Sequence, residues 1–341
     1  MRSRVGLAVS VIAVLAAALA TWYVGAPSTP GQPLASATSR PGAHKLAAHN
    51  DTSTPFNLVS MPALIRHHFN GGGLRRQLVR RNRWYAQYAI RYRSDRPQIT
   101  GTMLVPRGSG PYPVVLVAHG WHTPTDYLRH TGVVRENRIF ARHGYVVLQP
   151  DYRNYGSSTK ESQGFVPRPL GYPEDIINAV LALRSAHLPG VEPGPVSIFG
   201  RSMGGGASLQ ALAARPHLFG SAVLYSPVGS SAADTYRRWV LPDAQLRRRV
   251  VRDYGTPAGN PRVWATASVR NYLSRITAPI QIDHGTSDTT CPPRWSLATA
   301  RALRHDGKEV QLLHYAGESH AFREPAFDLL MRRALRFFAI H

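Results

Sequence analysis

Ser202 stands in the stretch Gly200-Arg201-Ser202-Met203-Gly204, which fits G-x-S-x-G. It lies between a short apolar run, Val196 to Phe199, and an Ala- and Leu-rich run that Pro216 ends. A serine so placed can act as a nucleophile. Glycines two before and two after it leave room for a sharp strand-to-helix turn, and the helix start points free N–H groups at whatever the hydroxyl attacks. A hydroxyl alone does no acyl transfer: it needs an imidazole to take its proton, a carboxylate to orient the imidazole and N–H donors for the oxyanion. Three other stretches offer these groups. Thr286-Ser287-Asp288 follows "PIQIDHG", Glu318-Ser319-His320 follows "VQLLHYAG", and His119-Gly120-Trp121 follows "PVVLVA". Each has a plainer reading, as a glycine-rich helix start, a turn aspartate or a surface histidine among the fifteen present. Together they would carry hydrolysis through an acyl-serine.

The elements that must position these groups follow from the apolar pattern. Residues 113–120 and 145–152 are continuous apolar runs, as expected of parallel strands covered on both faces, with a helix over 135–143 between them. A helix over 173–184 precedes the Ser202 strand, and a strand over 221–227 follows its helix. Strands over 279–285 and 309–317 alternate with helices over 294–305 and 325–340. Tyr85 to Tyr92 and Ile99 to Val105 predict two antiparallel strands around a turn at 94–97. The pattern predicts an α/β fold: a doubly wound, mostly parallel sheet with antiparallel N-terminal strands. Ligands of such sheets bind beyond the carboxyl ends of the strands. Ser202, Asp288, His320 and the His119 loop all fall there, and the order Ser, Asp, His is that of an α/β-hydrolase. Other titratable residues fit the role less well. Asp283 and His314 lie within strands, Glu318 precedes His320 on the same loop as a supporting residue, His119 suits holding the oxyanion loop, and Cys291 reads as a small buried apolar side chain.

Composition bounds the rest. The hydrophobic fraction of 43% suits a globular core, and a single cysteine, Cys291, excludes a disulfide-stapled module. Val5 to Val24 is uncharged and follows Arg2 and Arg4, which predicts that residues 1–25 are a signal peptide or a signal anchor. Either places the remainder outside the cytoplasmic membrane, secreted or anchored. Residues 26–51, rich in Pro, Ala, Ser and Thr, read as a disordered linker. The formal charge of +22 is nearly all arginine. It admits two readings, attraction to an anionic cell-envelope surface and an arginine-biased solvated surface. No nucleic-acid module accompanies it, so no nucleic-acid partner is expected.

Residues 56–340 resemble the catalytic domains of the prolyl oligopeptidase family, of the dipeptidyl aminopeptidase and acylaminoacyl-peptidase type. The resemblance is carried by "GPYPVVLVAHGW", "GYVVLQPDYRNYGSS", "GRSMGGG", "PIQIDHGTSDTTCPP" and "YAGESHAF". It implies Ser202 as nucleophile, Asp288 as the acid, His320 as the base, and the backbone N–H groups of Trp121 and Met203 as oxyanion donors. Cys291 stands where a valine is usual, Glu318 where an aspartate is common, and Asn154 where a glycine is. Residues 52–84 are too few for the β-propeller that precedes the large members' catalytic domain.

A catalytic domain over 52–341 is therefore expected, with residues 228–275 too long for a simple crossover and predicted to form a small helical cap. Tyr236, Trp239 and Trp264 in the cap are expected to line an apolar substrate pocket. The expected substrate is a small ester or peptide, with no metal or organic cofactor needed. A carboxylesterase or lipase-like enzyme of the same fold stays open beside a peptidase. So does a non-catalytic protein that binds the envelope through its charge.

Overall fold

Val114–Ala118 and Val146–Pro150 present apolar side chains on both sides, and each becomes a strand buried along its whole length. The computed structural model describes residues 60–123, 127, 132–161, 171–192 and 194–341. In chain order these form α1 (Met61–Arg66), β1 (Gly71–Arg81), β2 (Tyr85–Ser94), β3 (Gln98–Pro106), β4 (Val114–Ala118), α2 (Val134–Arg142), β5 (Val146–Pro150) and α3 (Gly171–Ser185). Then come β6 (Val196–Arg201), α4 (Met203–Ala214) and β7 (Phe219–Tyr225). After an insertion the chain continues with β8 (Ile280–Gly285), α8 (Pro293–His305), β9 (Val310–Tyr315) and α9 (Ala326–Ile340). Residues 1–25 and 26–51, predicted as signal and linker, lie outside the described residues. Among the described residues no helix is long and apolar enough to cross a membrane.

The strands make one nine-stranded sheet in the order β1-β2-β3-β5-β4-β6-β7-β8-β9. The first three and the β3–β5 pair are antiparallel, and all pairs from β5 to β9 are parallel. Side chains alternate across each strand, so the sheet builds two cores. Val114, Leu116, Val146, Leu148, Ile198 and Leu224 face Ile176, Ile177, Val180, Leu209 and Leu212 of α3 and α4. Val115, Val117, Val147, Phe199 and Val223 face Phe140 of α2 and Leu330, Met331 and Phe338 of α9. Each fully buried Val, Leu or Phe contributes about 1.5–3 kcal/mol. This is the expected doubly wound sheet, with two additions. Neither α1 nor β1 is foreshadowed by the apolar pattern, because most of β1 is exposed on the sheet edge. Such a strand is held by its ladder to β2 and needs no apolar face of its own.

The 228–275 insertion is helical, as predicted. It holds α5 (Ala232–Thr235), a π-helical turn (Tyr236–Val240), α6 (Ala244–Tyr254), α7 (Pro261–Ala267) and a 3₁₀ stretch (Val269–Arg275). Asp243 caps α6 by accepting the N–H groups of Gln245 and Leu246, each at 2.9 Å.

One buried charge cluster ties the loop after β5 to the start of α3. The Arg153 guanidinium donates to both oxygens of Asp175, at 3.1 and 2.7 Å. It also pairs with Glu174 at 3.0 Å and Glu161 at 3.1 Å. Burial pushes the Glu174 carboxyl up to about 8 against the pull of Arg153. Arg153→Met would strand Asp175, which is fully buried, without its counter-charge. We expect a loss of about 3–5 kcal/mol, read as a lower denaturant midpoint at neutral pH. An unchanged midpoint would show that the cluster adds nothing.

Candidate active site

The turn between β6 and α4 puts Ser202 at φ 55°, ψ −120°. This is a strained backbone for a residue with a Cβ, and it projects the side chain off the end of the sheet. Packing around the turn explains its glycines. A Cβ on Gly204 would lie 2.1 Å from the Ala118 oxygen, and one on Gly200 would lie 2.5 Å from Ser208 Oγ. Only bare backbone lets α4 start so close to β4. The Ser202 N–H donates to the Tyr225 oxygen at 2.9 Å and the Ser202 oxygen accepts from Val228 at 3.0 Å, pinning the turn to β7.

His320 arrives from the loop after β9. Its Nε2 accepts the Ser202 hydroxyl at 2.9 Å, and its Nδ1–H donates to Asp288 Oδ2 at 2.8 Å. The loops carrying Asp288 and His320 are pressed together at Gly285, where a Cβ would lie 2.2 Å from the Glu318 oxygen. The Ser287 N–H donates to that same oxygen at 2.9 Å. The Glu318 carboxylate in turn accepts the Arg323 N–H at 2.9 Å, bracing the loop from beyond His320. The three residues predicted from far-apart stretches thus form one chain of hydrogen bonds.

Asp288 Oδ1 accepts the backbone N–H groups of Thr290, at 2.8 Å, and Cys291, at 2.9 Å. Its Oδ2 accepts a second imidazole, His284 Nε2–H, at 3.1 Å. Burial alone would raise the carboxyl's pKa. The donors from His284, His320 and Cys291 outweigh it and hold the group well below the usual carboxylate range, so Asp288 is ionised. Cys291 is buried, as expected, and burial with the Asp288 charge pushes its thiol up to about 12.

Gly120 packs on the turn so tightly that a Cβ there would lie 3.2 Å from Ser202 Cβ and 3.7 Å from Oγ. The loop that leads into Trp121 is thus seated on the Ser202 turn, and Met203 as the first residue of α4 has its N–H outside the helix ladder. His119 is buried behind this loop, and burial pushes it down to about 4, so the ring is neutral. Its Nδ1 lies 2.6 Å from the Gly120 oxygen. That oxygen and the Trp121 N–H belong to one planar peptide, so holding the first orients the second. This is the bracing role expected of His119.

The aromatic residues expected to line a substrate pocket pack in two pairs. Tyr236 and Trp264 pack edge to face at 4.9 Å within the insertion, and Trp239 packs against Trp295 of α8 at 5.4 Å. Trp264 also borders a cavity of about 370 Å³ lined by Ser231, Arg237, Arg270 and Asn271. Besides the Val228 bond to Ser202, the insertion reaches the triad side of the fold through Arg238, whose guanidinium donates to the Thr289 and Thr290 oxygens beside Asp288. The sequence reading missed His284 and Ser296. The available signal was position, since His284 is the last side chain before the glycine that reverses the chain toward Asp288. Among the described residues, His67, Asp95 and Glu174 set three ligand atoms within 4.8 Å of one another. Asp95 there already accepts His67, at 2.7 Å, the Asn70 N–H, at 2.7 Å, and Asn178, at 3.2 Å.

Comparison with known proteins bears on the family and the fold. The chain is similar to the uncharacterized peptidase YtmA of Bacillus subtilis, 27% identical over 241 residues that cover 69% of this chain and 86% of that one. Its fold is similar to acetyl xylan esterase 1 from Thermoanaerobacterium, at 19% identity and TM-score 0.58, covering 79% of this chain and 89% of that one. It is equally similar to the acylaminoacyl peptidase of Pyrococcus horikoshii, at 19% identity and TM-score 0.58. There the match covers 75% of this chain but 41% of the larger protein. The model of the prolyl oligopeptidase family matches residues 133–340, a span that runs from α2 through the Ser202 turn and the Asp288 and His320 loops to α9. A match over more than half the chain settles its descent: this protein belongs to the prolyl oligopeptidase family.

Proposed function

We propose that this protein is a serine hydrolase that cleaves small esters, and peptide or amide bonds less readily, through an acyl-enzyme on Ser202. The observation that carries the reading is the unbroken chain from Ser202 Oγ through His320 to Asp288, at 2.9 and 2.8 Å. His320 Nε2 takes the hydroxyl proton as Oγ attacks the carbonyl carbon, and Asp288 stabilises the imidazolium that results. The Trp121 and Met203 N–H groups receive the developing oxyanion, each worth about 3 kcal/mol in such a site. The C–O or C–N bond then breaks, and the leaving alcohol or amine takes the proton from His320. Water repeats the sequence in reverse, freeing the acid and Ser202.

One consideration favours esters. An alkoxide leaves more easily than an amine and demands less accurate protonation by His320. Short-chain p-nitrophenyl esters should be turned over, and a fluorophosphonate probe should label Ser202 alone. Aminoacyl p-nitroanilides should be slower at equal concentration. Normal amide cleavage with no ester turnover would reverse the preference, and absence of labelling in folded protein would leave the non-catalytic envelope-binding reading in its place.

A further inference from the structure

Asp288 is held by more than the base it orients. His284 Nε2 faces two groups that can only accept, Asp288 Oδ2 at 3.1 Å and the Cys291 oxygen at 2.8 Å. That nitrogen therefore carries the proton, which leaves Nδ1 to accept from Ser296 Oγ–H at 2.6 Å. His284, Asp288 and Ser296 are all buried, so the tautomer is fixed by partners and not by solvent. The relay then runs Ser296 to His284 to Asp288, and it meets His320 on the same carboxylate oxygen.

We propose that His284 is a positioning residue of the hydrolytic machinery, fixing Asp288 Oδ2 and sharing its charge so that His320 is released as a base at lower pH. The proposal rests on the serine-hydrolase reading. With both imidazoles bonded to Oδ2, less negative charge is left there to stabilise the protonated His320. Without His284 that oxygen would favour the imidazolium more strongly, and a higher pH would be needed to free the base. Ser296 sharpens the effect, because a hydroxyl donating to Nδ1 makes Nε2–H a better donor. The other groups around the carboxylate are few. Cys291 lies on its own loop, Ser202 and His320 face it, and Arg238 of the insertion bonds the Thr289 and Thr290 oxygens. His314 stands opposite His284 in register on β9 and is exposed, Tyr225 of β7 pairs in register with the neighbouring Asp283, and Ser226, just past β7, donates its N–H to the Asp283 oxygen.

The test is the pH dependence of kcat/KM for a p-nitrophenyl ester in the full chain. For His284→Leu we expect kcat to fall about ten- to a hundredfold, the range of one lost hydrogen bond to a charged group. KM should stay within about threefold. The acid limb should move to higher pH, by about half a unit or more. Ser296→Ala should move it the same way by less, and His284→Gln, which can still reach Oδ2 with a donor, should recover part of the loss. Acid limbs that superpose on that of the unaltered protein in folded His284→Leu and Ser296→Ala would overturn the proposal. If His284→Leu does not fold, Ser296→Ala decides alone. Failure of the underlying reading is separable: a Ser202→Ala protein that still turned over ester would remove the hydrolytic role of Ser202, whatever His284 does.

Discussion

Ser202→Ala is expected to leave a folded protein whose ester hydrolysis is lower by about a million-fold. The expectation follows from how little else changes. The Ser202 turn is fixed through backbone atoms, by the bonds of its N–H to Tyr225 and of its oxygen to Val228. Alanine carries the same Cβ at the same φ of 55°, so the strain of the turn is kept and the close packing at Gly120 and Gly204 is undisturbed. Only the hydroxyl is lost, and with it the one atom positioned to form an acyl bond. His320 keeps its contact with Asp288, and the N–H donors remain. Some rate above the uncatalysed reaction should persist from those donors and from binding. The measurement is turnover of a p-nitrophenyl ester, with thermal unfolding of the same sample as the control for folding. Retention of even a tenth of the unaltered rate would sink the assignment of Ser202. So would fluorophosphonate labelling of the alanine variant.

Which features were readable in advance depended on whether a residue's reason for being there is local. Strands β4 and β5 carry mostly apolar side chains toward both faces because both faces are covered, so their runs in the sequence are the physical cause of their burial. The Ser202 turn is equally local, since G-x-S-x-G states its steric demand in five residues. Asp288 and His320 were found because an α/β sheet exposes the carboxyl ends of its strands, which narrows fifteen histidines to the few at such ends. What stayed hidden is what tertiary contact decides. The edge strand β1 is a run of glycine, arginine and a few apolar residues, and only the β2 ladder makes it a strand. Arg153 and Asp175 are far apart in sequence and reveal nothing until the loop after β5 meets α3. The insertion was legible as helical from its length and composition. Yet which of its aromatic residues meet each other, Tyr236 with Trp264 and Trp239 with Trp295, is set by packing alone.

The second large effect is expected at Asp288, where Asp288→Asn should lower kcat by about ten-thousandfold while the protein stays folded. The magnitude depends on which way the new amide turns, and the loop dictates that. The backbone N–H groups of Thr290 and Cys291 both point at Oδ1, from 2.8 and 2.9 Å, so the amide oxygen must stay there to accept them. The NH₂ group is then forced into the place of Oδ2, facing the nitrogens of His320 and His284. Toward His320 it can only donate, so Nδ1 must accept and the ring proton moves to Nε2. Nε2 is the nitrogen that should take the Ser202 proton, and in this tautomer it cannot. The imidazole is present, correctly placed and useless as a base. Asp288→Ala makes the contrast: it removes the wrong donor along with the right acceptor, so His320 is free to adopt either tautomer. That variant should therefore be no slower than Asp288→Asn despite the larger truncation. Comparable ester turnover in the asparagine variant and the unaltered protein would mean that Asp288 does not set the His320 tautomer, and would leave His320 acting without a carboxylate partner.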